Sequence, residues 1–298
     1  MAQTYLNTGT SIGNREDLKN VLSDINYKKT PFFSMCSKVD AKAILHEWVE
    51  DTLQAGVLNA RAEGFTPSPA AADNDIRVRR SNNCEIISRL ISVSRTQDVV
   101  DKAGLGKGSE YDHQLERRIK EIALDVNRTL LRQTSVTRDG DAGTPGAMAG
   151  YFAVDTIHTL DASDSVISDD LHNRLCQEMV EDGVDPDVIF CAGYNKRQYS
   201  SWATANRRYS DGEKKVIDVV NEYESDWGTQ MIVFDKDVPT DEVAVTQRDQ
   251  LRVAMLDPFQ HIQLARTIDG RRGYVVTELT FEYGARKALG SITNLLVS

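Results

Sequence analysis

Histidines, cysteines, clustered carboxylates and one glycine run are the parts of this 298-residue chain that could do chemistry. The five histidines, His46, His113, His158, His172 and His261, are scattered, with no HExxH pair to present two imidazoles on one helix face. A Ser-His-Asp site assembles in space whatever the chain order. The GxSxG elbow that would expose a nucleophilic serine is nevertheless missing. Cys36, Cys84, Cys176 and Cys191 form no CxxC pair and have no histidine at ligand spacing, so they read as free thiols. Gly104-Leu-Gly-Lys-Gly-Ser109 invites a phosphate-loop reading, but it lacks GxxxxGK[ST] spacing and no strong apolar strand leads into it. A hinge before a capped helix explains those glycines. Asp161, Asp164, Asp169 and Asp170 lack the glycine and distal glutamate of a calcium loop. They suit a solvated loop and a helix N-terminus. Tyr194-Asn-Lys-Arg-Gln-Tyr-Ser-Ser-Trp202 mixes rings and bases, as a single-strand binder would. An amphipathic helix packing Tyr199 and Trp202 is the simpler account. No catalytic, cofactor or metal constellation emerges, and the chain reads as a non-enzyme without a cofactor.

The bulk properties point the same way. Apolar residues make up 40% and charged residues 27%, enough for a sizeable core. The formal charge of −10 and the absence of a basic block exclude a dedicated nucleic-acid reader. The start, Met-Ala-Gln-Thr-Tyr-Leu, has no signal-peptide pattern, and no apolar run nears the roughly 20 residues of a membrane span. A reducing cytoplasm is the expected place of synthesis.

The residues singled out must instead be held by an unusual element. Residues 39–58 and 76–94 have strand character and flank a loop from Arg61 to Asp75 whose one large apolar side chain is Phe65. Acidic groups lie before the loop (Glu47, Glu50, Asp51) and basic ones after it (Arg77, Arg79, Arg80, Arg89, Arg95). Such a hairpin has too little apolar surface to offset its own ordering entropy and needs a partner surface. Trp48, Glu50, Asp51, Phe65, Arg77, Arg79, Arg80 and Arg89 are therefore the candidate subunit-interface residues, with the charged arms expected to meet complementary surfaces on a neighbour.

Around the hairpin the pattern is ordinary. Leu18, Val21, Leu22 and Ile25 have helical spacing. Ser109 caps a helix over residues 110–133, with Asp112 as its capping-box partner. Tyr111, Leu115, Ile119, Ile122, Val126 and Leu130 make one stripe along roughly 35 Å of that helix. After a turn-rich joint at residues 139–150 come a helix capped at Ser168 or Asp169 and ended by Gly183, a buried strand at 188–191 and a helix at 194–205. Strands at 216–223, 230–234, 242–247 and 251–256 follow. Residues 261–268 and 274–283 form a hairpin around Asp269-Gly270. The class is α+β.

The order of these parts resembles the shell-protein fold of tailed bacteriophages, the Hong Kong 97 type. Trp48-Val-Glu-Asp-Thr-Leu53, Arg80-Ser-Asn-Asn83, Val93-Ser-Arg-Thr-Gln97 with Ala103-Gly104, Val188-Ile-Phe-Cys-Ala-Gly193 and Tyr223-Glu-Ser-Asp-Trp-Gly228 are similar to a family of phage major capsid proteins. So are Leu256-Asp-Pro258 and Glu278-Leu-Thr-Phe-Glu282 with Lys287-Ala-Leu-Gly290. The resemblance implies an N-terminal arm at 1–45 and an extended loop at 46–95. It implies a peripheral domain with the spine helix at 96–150 and 261–284, and an axial domain at 151–260 and 285–298. It implies hexamers and pentamers closing an icosahedral shell around double-stranded DNA, contacted non-specifically, and a place in the virion capsid. The type member cross-links subunits through an extended-loop lysine, and none occurs here between Glu47 and Arg95. Some relatives carry a long N-terminal scaffolding region. With only about 40 residues before the hairpin, a separate scaffolding protein and a portal are the implied partners. An encapsulin-type compartment shell shares the fold and stands as the alternative.

Overall fold

A computed structural model gives the structure. It describes residues 29–51, 56, 58–66, 77–100, 109–134, 144–154, 158–205, 222–266 and 269–297, with backbone only at 203–205. The apolar stripe at 18–25, the glycine run at 104–108, part of the loop tip and most of the strand expected at 216–223 lie outside those residues.

The chain begins with a one-turn helix, α1 (Pro31–Met35), started by proline at its first position. Strand β1 (Ser37–Asp40) follows, then β2 (Leu45–Glu50), β3 (Val78–Asn83) and β4 (Glu85–Ser94). A short helix α2 (Arg95–Val99) leads to the spine helix α3 (Glu110–Arg132). Beyond the joint come β5 (His158–Ser165), α4 (Asp169–Glu181), β6 (Val188–Cys191) and α5 (Gly193–Ala205). The chain then continues with β7 (Glu222–Ser225), β8 (Gly228–Phe234), β9 (Val243–Thr246), β10 (Leu251–Leu264), β11 (Gly270–Tyr283) and β12 (Leu289–Leu295).

Two sheets organise these elements. One has the order β1-β10-β11-β4, the other β5-β12-β9-β6-β8-β7, and β2 pairs with β3 alone. In β4 the pleat sends Ile87, Ile91 and Val93 inward against the α3 residues Ile122 and Val126. β6 is buried along its whole length, as a central strand covered on both sides must be. Its Val188 and Phe190 join the core of the first sheet, while Ile189 and Cys191 join that of α4 and α5. Phe32 of α1 sits between, its ring 5.1 Å from Phe190 and 5.9 Å from Phe281.

Several local expectations hold. The Ser168 hydroxyl accepts from Leu171 N–H at 3.2 Å, and Gly183 takes φ +84° just past the end of α4. Others are corrected. Ser109 precedes α3, yet its hydroxyl makes no cap to the helix. It donates to Asp98 Oδ1 at 2.8 Å, and that carboxylate also accepts from Tyr111 N–H at 3.4 Å. Asp98 of α2 therefore caps the spine from another element, where Asp112 was expected to help. Ile119 lies outside the seam at 49% exposure, whereas Asn127 and Leu131 are fully buried, because the C-terminal half of α3 also packs on α1, the joint at Tyr151 and the loop after β8.

The strand pairing moves two expected boundaries. β4 was expected as the second hairpin arm, but it pairs with β11 from Ser94↔Gly270 to Glu85↔Leu279, and the hairpin ladder ends at Leu45↔Asn83. The apolar residues of β4 find burial only under α3. The strands expected at 251–256 and 261–268 are one strand, β10, paired with β11 throughout. The register shifts between Met255 and Gln260 absorb Pro258, which has no N–H to give the ladder. Residues 251–260 thus belong to the sheet of the spine helix.

Candidate assembly surfaces

The hairpin is pinned at its root by buried polar contacts. Alternation puts His46, Trp48, Glu50, Arg80 and Asn82 on one face and Glu47, Val49, Arg79 and Ser81 on the other. On the first face Glu50 is 6% exposed. It accepts from Arg80 Nε at 2.8 Å and from the backbone N–H of Arg286 at 2.9 Å. His46 Nε2 lies 2.8 Å from Glu282 Oε2, and Arg252 donates to the other Glu282 oxygen at 3.0 Å. Trp48 meets Tyr283 edge to face at 5.0 Å. Asn82 donates to the carbonyls of Phe281 and Ala149 at 2.9 and 3.0 Å and accepts from Ala149 N–H at 2.8 Å.

The candidate interface residues therefore separate. Trp48, Glu50 and Arg80 face the subunit's own body. Arg89 leaves the hairpin altogether: its guanidinium donates to both oxygens of Asp125 at 2.5 and 2.6 Å, tying β4 to α3. Asp51, Arg77 and Arg79 stay outside, but the acidic and basic arms meet each other first. Arg77 lies 3.3 Å from Asp51, and Arg79 3.7 Å from Glu47. The register sets Glu47 diagonally from Arg79, while Asp51 and Arg77 meet just beyond the last pair, Glu50↔Val78. Exposed pairs of this kind are worth about 0–1 kcal/mol, so they exchange partners readily. Phe65 is 48% exposed, with the Arg61 guanidinium 4.7 Å from its ring centre.

A second surface escaped the sequence reading. The face of the first sheet turned away from α3 carries Ile86 and Leu90, 66% and 71% exposed. Across the ladder Leu90 stands opposite Tyr274, itself opposite Ile262, and Val276 lies two residues along. The signal was the doublets Ile86-Ile87 and Leu90-Ile91, which make β4 apolar on both faces. The interior joint was missed as well. Asn127 Nδ2 donates to Asp235 and Asp237 at 3.0 Å, and its Oδ1 accepts from Phe33 N–H at 3.0 Å. Asp235 also accepts from Phe32 N–H at 3.3 Å. One amide so links the arm, the spine and the loop after β8.

The titratable groups are locked in structural roles. All four cysteines are buried free thiols. Burial pushes Cys84 and Cys176 up to about 11 and Cys191 to about 12, and Cys36 upward too, so no thiolate nucleophile forms near neutrality. His172, enclosed with Tyr199 and Gln230, is pushed down to about 4 by burial. His261 bonds the Tyr111 hydroxyl at 2.8 Å, and His158 lies 3.2 Å from Asp182. Tyr199 and Trp202 pack with Tyr223 into the second core. Asp161 accepts from Ser163 N–H and Asn294 Nδ2 at 2.8 and 3.1 Å, a turn rather than a cation cage. Among the described residues no group of three or more His, Cys, Asp or Glu could hold a metal ion.

A family model described as the SU10 major capsid protein matches residues 3–296. The chain belongs to the SU10 major capsid protein family. It is 31% identical over 122 residues to the major capsid protein of Escherichia phage Phieco32. That match covers 40% of this chain and 33% of the relative, so the chain spans about a third of the curated relative it matches. Among solved structures, the capsid asymmetric unit of cyanophage A-1(L) is similar with a TM-score of 0.72. It is 14% identical, covering 98% of this chain and 99% of that one. A holo-encapsulin complex from Synechococcus elongatus is similar at a TM-score of 0.64 and 7% identity, covering 94% and 92%. The capsid of a native GTA particle is similar at a TM-score of 0.65 and 7% identity, covering 97% of each chain. The fold of this capsid-family chain is of the Hong Kong 97 type, as its sequence led us to expect.

Proposed function

We propose that this chain is the shell subunit of a tailed-phage head, assembling into hexamers and pentamers around double-stranded DNA that it contacts non-specifically. It acts by assembly and performs no catalysis. The carrying observation is a pair of surfaces: a hairpin anchored at its root with Phe65 and Val49 exposed, and an uncovered apolar sheet face around Leu90. Neither can bury itself in its own subunit, and a hairpin laid on a neighbour's sheet face covers both. In this reading the extended loop is β2 and β3 with their connection. The peripheral domain is α3 with β4, β10 and β11, and the axial domain is the second sheet with α4 and α5. The shell subunit resides in the virion and assembles in the host cytoplasm with a scaffolding protein and a portal.

Removing residues 64–72 tests this. The shortened chain is expected to remain a soluble, folded subunit that closes no shells by electron microscopy. Normal particles would overturn the loop's role. The likeness to an encapsulin supports a second reading, a compartment shell with protein cargo. The family match over nearly the whole chain favours the phage head, and extraction of protein instead of DNA from purified particles would reverse that choice.

A further inference from the structure

The outer face of the spine helix points away from the core and from the exposed sheet face. At about 100° per residue, His113, Arg117, Lys120, Leu124 and Arg128 of α3 fall within roughly 60° of one line, opposite Ile122 and Val126. Arg117, Lys120 and Arg128 are exposed, and among the described residues no ion pair or side-chain hydrogen bond engages any of the three. The acids nearest the C-terminal part of this line are already taken. Arg118 binds Glu121, and Arg89 of β4 binds Asp125. Glu116 is exposed but lies about 100° round the helix from Arg117, and Asp112 lies farther still. What is left is an uncompensated cationic line roughly 16 Å long on a chain whose formal charge is −10.

We propose that this line is the inner face of the shell wall and meets the phosphates of packaged double-stranded DNA, an inference that rests on the assembly reading above. The first sheet has α3 on one side and the bare face of Ile86 and Leu90 on the other. A neighbour's hairpin seated on the bare face leaves α3 on the opposite side of the wall, beyond that hairpin's reach. The hairpin's acids are also engaged already, Asp51 by Arg77, Glu47 by Arg79 and Glu50 by Arg80. On the free side of the wall, the polyanion a filled head supplies is DNA. Duplex DNA carries one negative charge per ~1.7 Å of its axis, so three cations spread along the helix find phosphates in any register. Such contacts go to the backbone and carry no sequence information. The acidity of the rest of the subunit keeps the contact weak, which lets DNA slide along the wall as the head fills.

The test is acylation of lysines in intact DNA-filled heads and in the same heads emptied of DNA, read by mass spectrometry. Lys120 is read in the parent chain, so the result does not hang on a variant. Arg117→Lys with Arg128→Lys keeps the charge and lets the same reagent report on all three positions. These positions are expected to react about fivefold or more slowly in filled heads, with the protection fading as monovalent salt rises. Equal reactivity in filled and emptied heads would overturn the contact and leave the shell reading standing. Protection in both would also overturn it, because the line would then be a contact between subunits. Particles that hold no DNA by electron microscopy would overturn the phage-head reading itself, and this inference with it.

Discussion

Asn127 shows how much one uncharged side chain can join. It is fully buried, and a single amide serves two carboxylates and the backbone of the arm. Asn127→Ala would leave Phe33 N–H without its acceptor and take the amide donor from Asp235 and Asp237, at a cost of about 3 kcal/mol, measurable by urea unfolding of the unassembled subunit. Glu242 makes a contrasting case. Burial and the neighbouring Asp241 push its carboxyl up from 4.5 to about 7, against the pull of Arg132. Between those values the folded state holds a proton that the unfolded chain has released, so this group's contribution to stability falls as pH rises from 4.5 to 7. Glu242→Gln should remove that slope and stabilise the subunit by about 1 kcal/mol at neutral pH once solvent screening is allowed for. Unfolding at pH 5 and pH 7.5 checks both the sign and the slope. The Asn127 contact joins residues about a hundred positions apart, and no local spacing could announce it.

Among the elements, the spine helix was the most legible, because six apolar residues at steps of three and four leave little choice of period. Its surroundings were less so. Gly150 packs against the end of α3, where an added Cβ would lie 2.8 Å from the Thr129 carbonyl oxygen and 2.9 Å from the Gln133 nitrogen. Its φ is −78°, so space and not conformational freedom requires glycine. Gly150→Ala is expected to cost about 1–3 kcal/mol by forcing helix and joint apart, read as a lower melting temperature. The hairpin illustrates the limit of element-level reading. Its existence and its segregated charge were visible, but which face each charge takes depends on register. A register fixes alternation only once the partner strand is known. Glu50 and Arg80 turned inward to the body, Asp51 and Arg77 stayed out, and Arg89 proved to belong to another sheet.

At the scale of the molecule, the unburied surfaces decide the behaviour. Leu90→Glu places a charge at the centre of the exposed sheet face. Because Leu90 is 71% exposed, subunit stability should change by no more than about 0.5 kcal/mol. Assembly, followed by light scattering, should fail; parental assembly kinetics would show that this face takes no part. The two expected strand boundaries moved for one reason. β4 is apolar on both faces and β10 runs on through Pro258, and composition cannot say which sheet will accept a strand.

Taken by itself, the chain determined its class, its main elements and its function as a structural subunit. The class and elements rest on local periodicity, caps and turns carried by neighbours in sequence, and the function on the ordered motifs that resemble phage major capsid proteins. Tertiary structure alone decided the strand order, the inner and outer faces of the hairpin, the cap supplied by Asp98 and the joint at Asn127. Each depends on partners distant in sequence, whose choice is made by the burial of the whole core rather than by any segment of it.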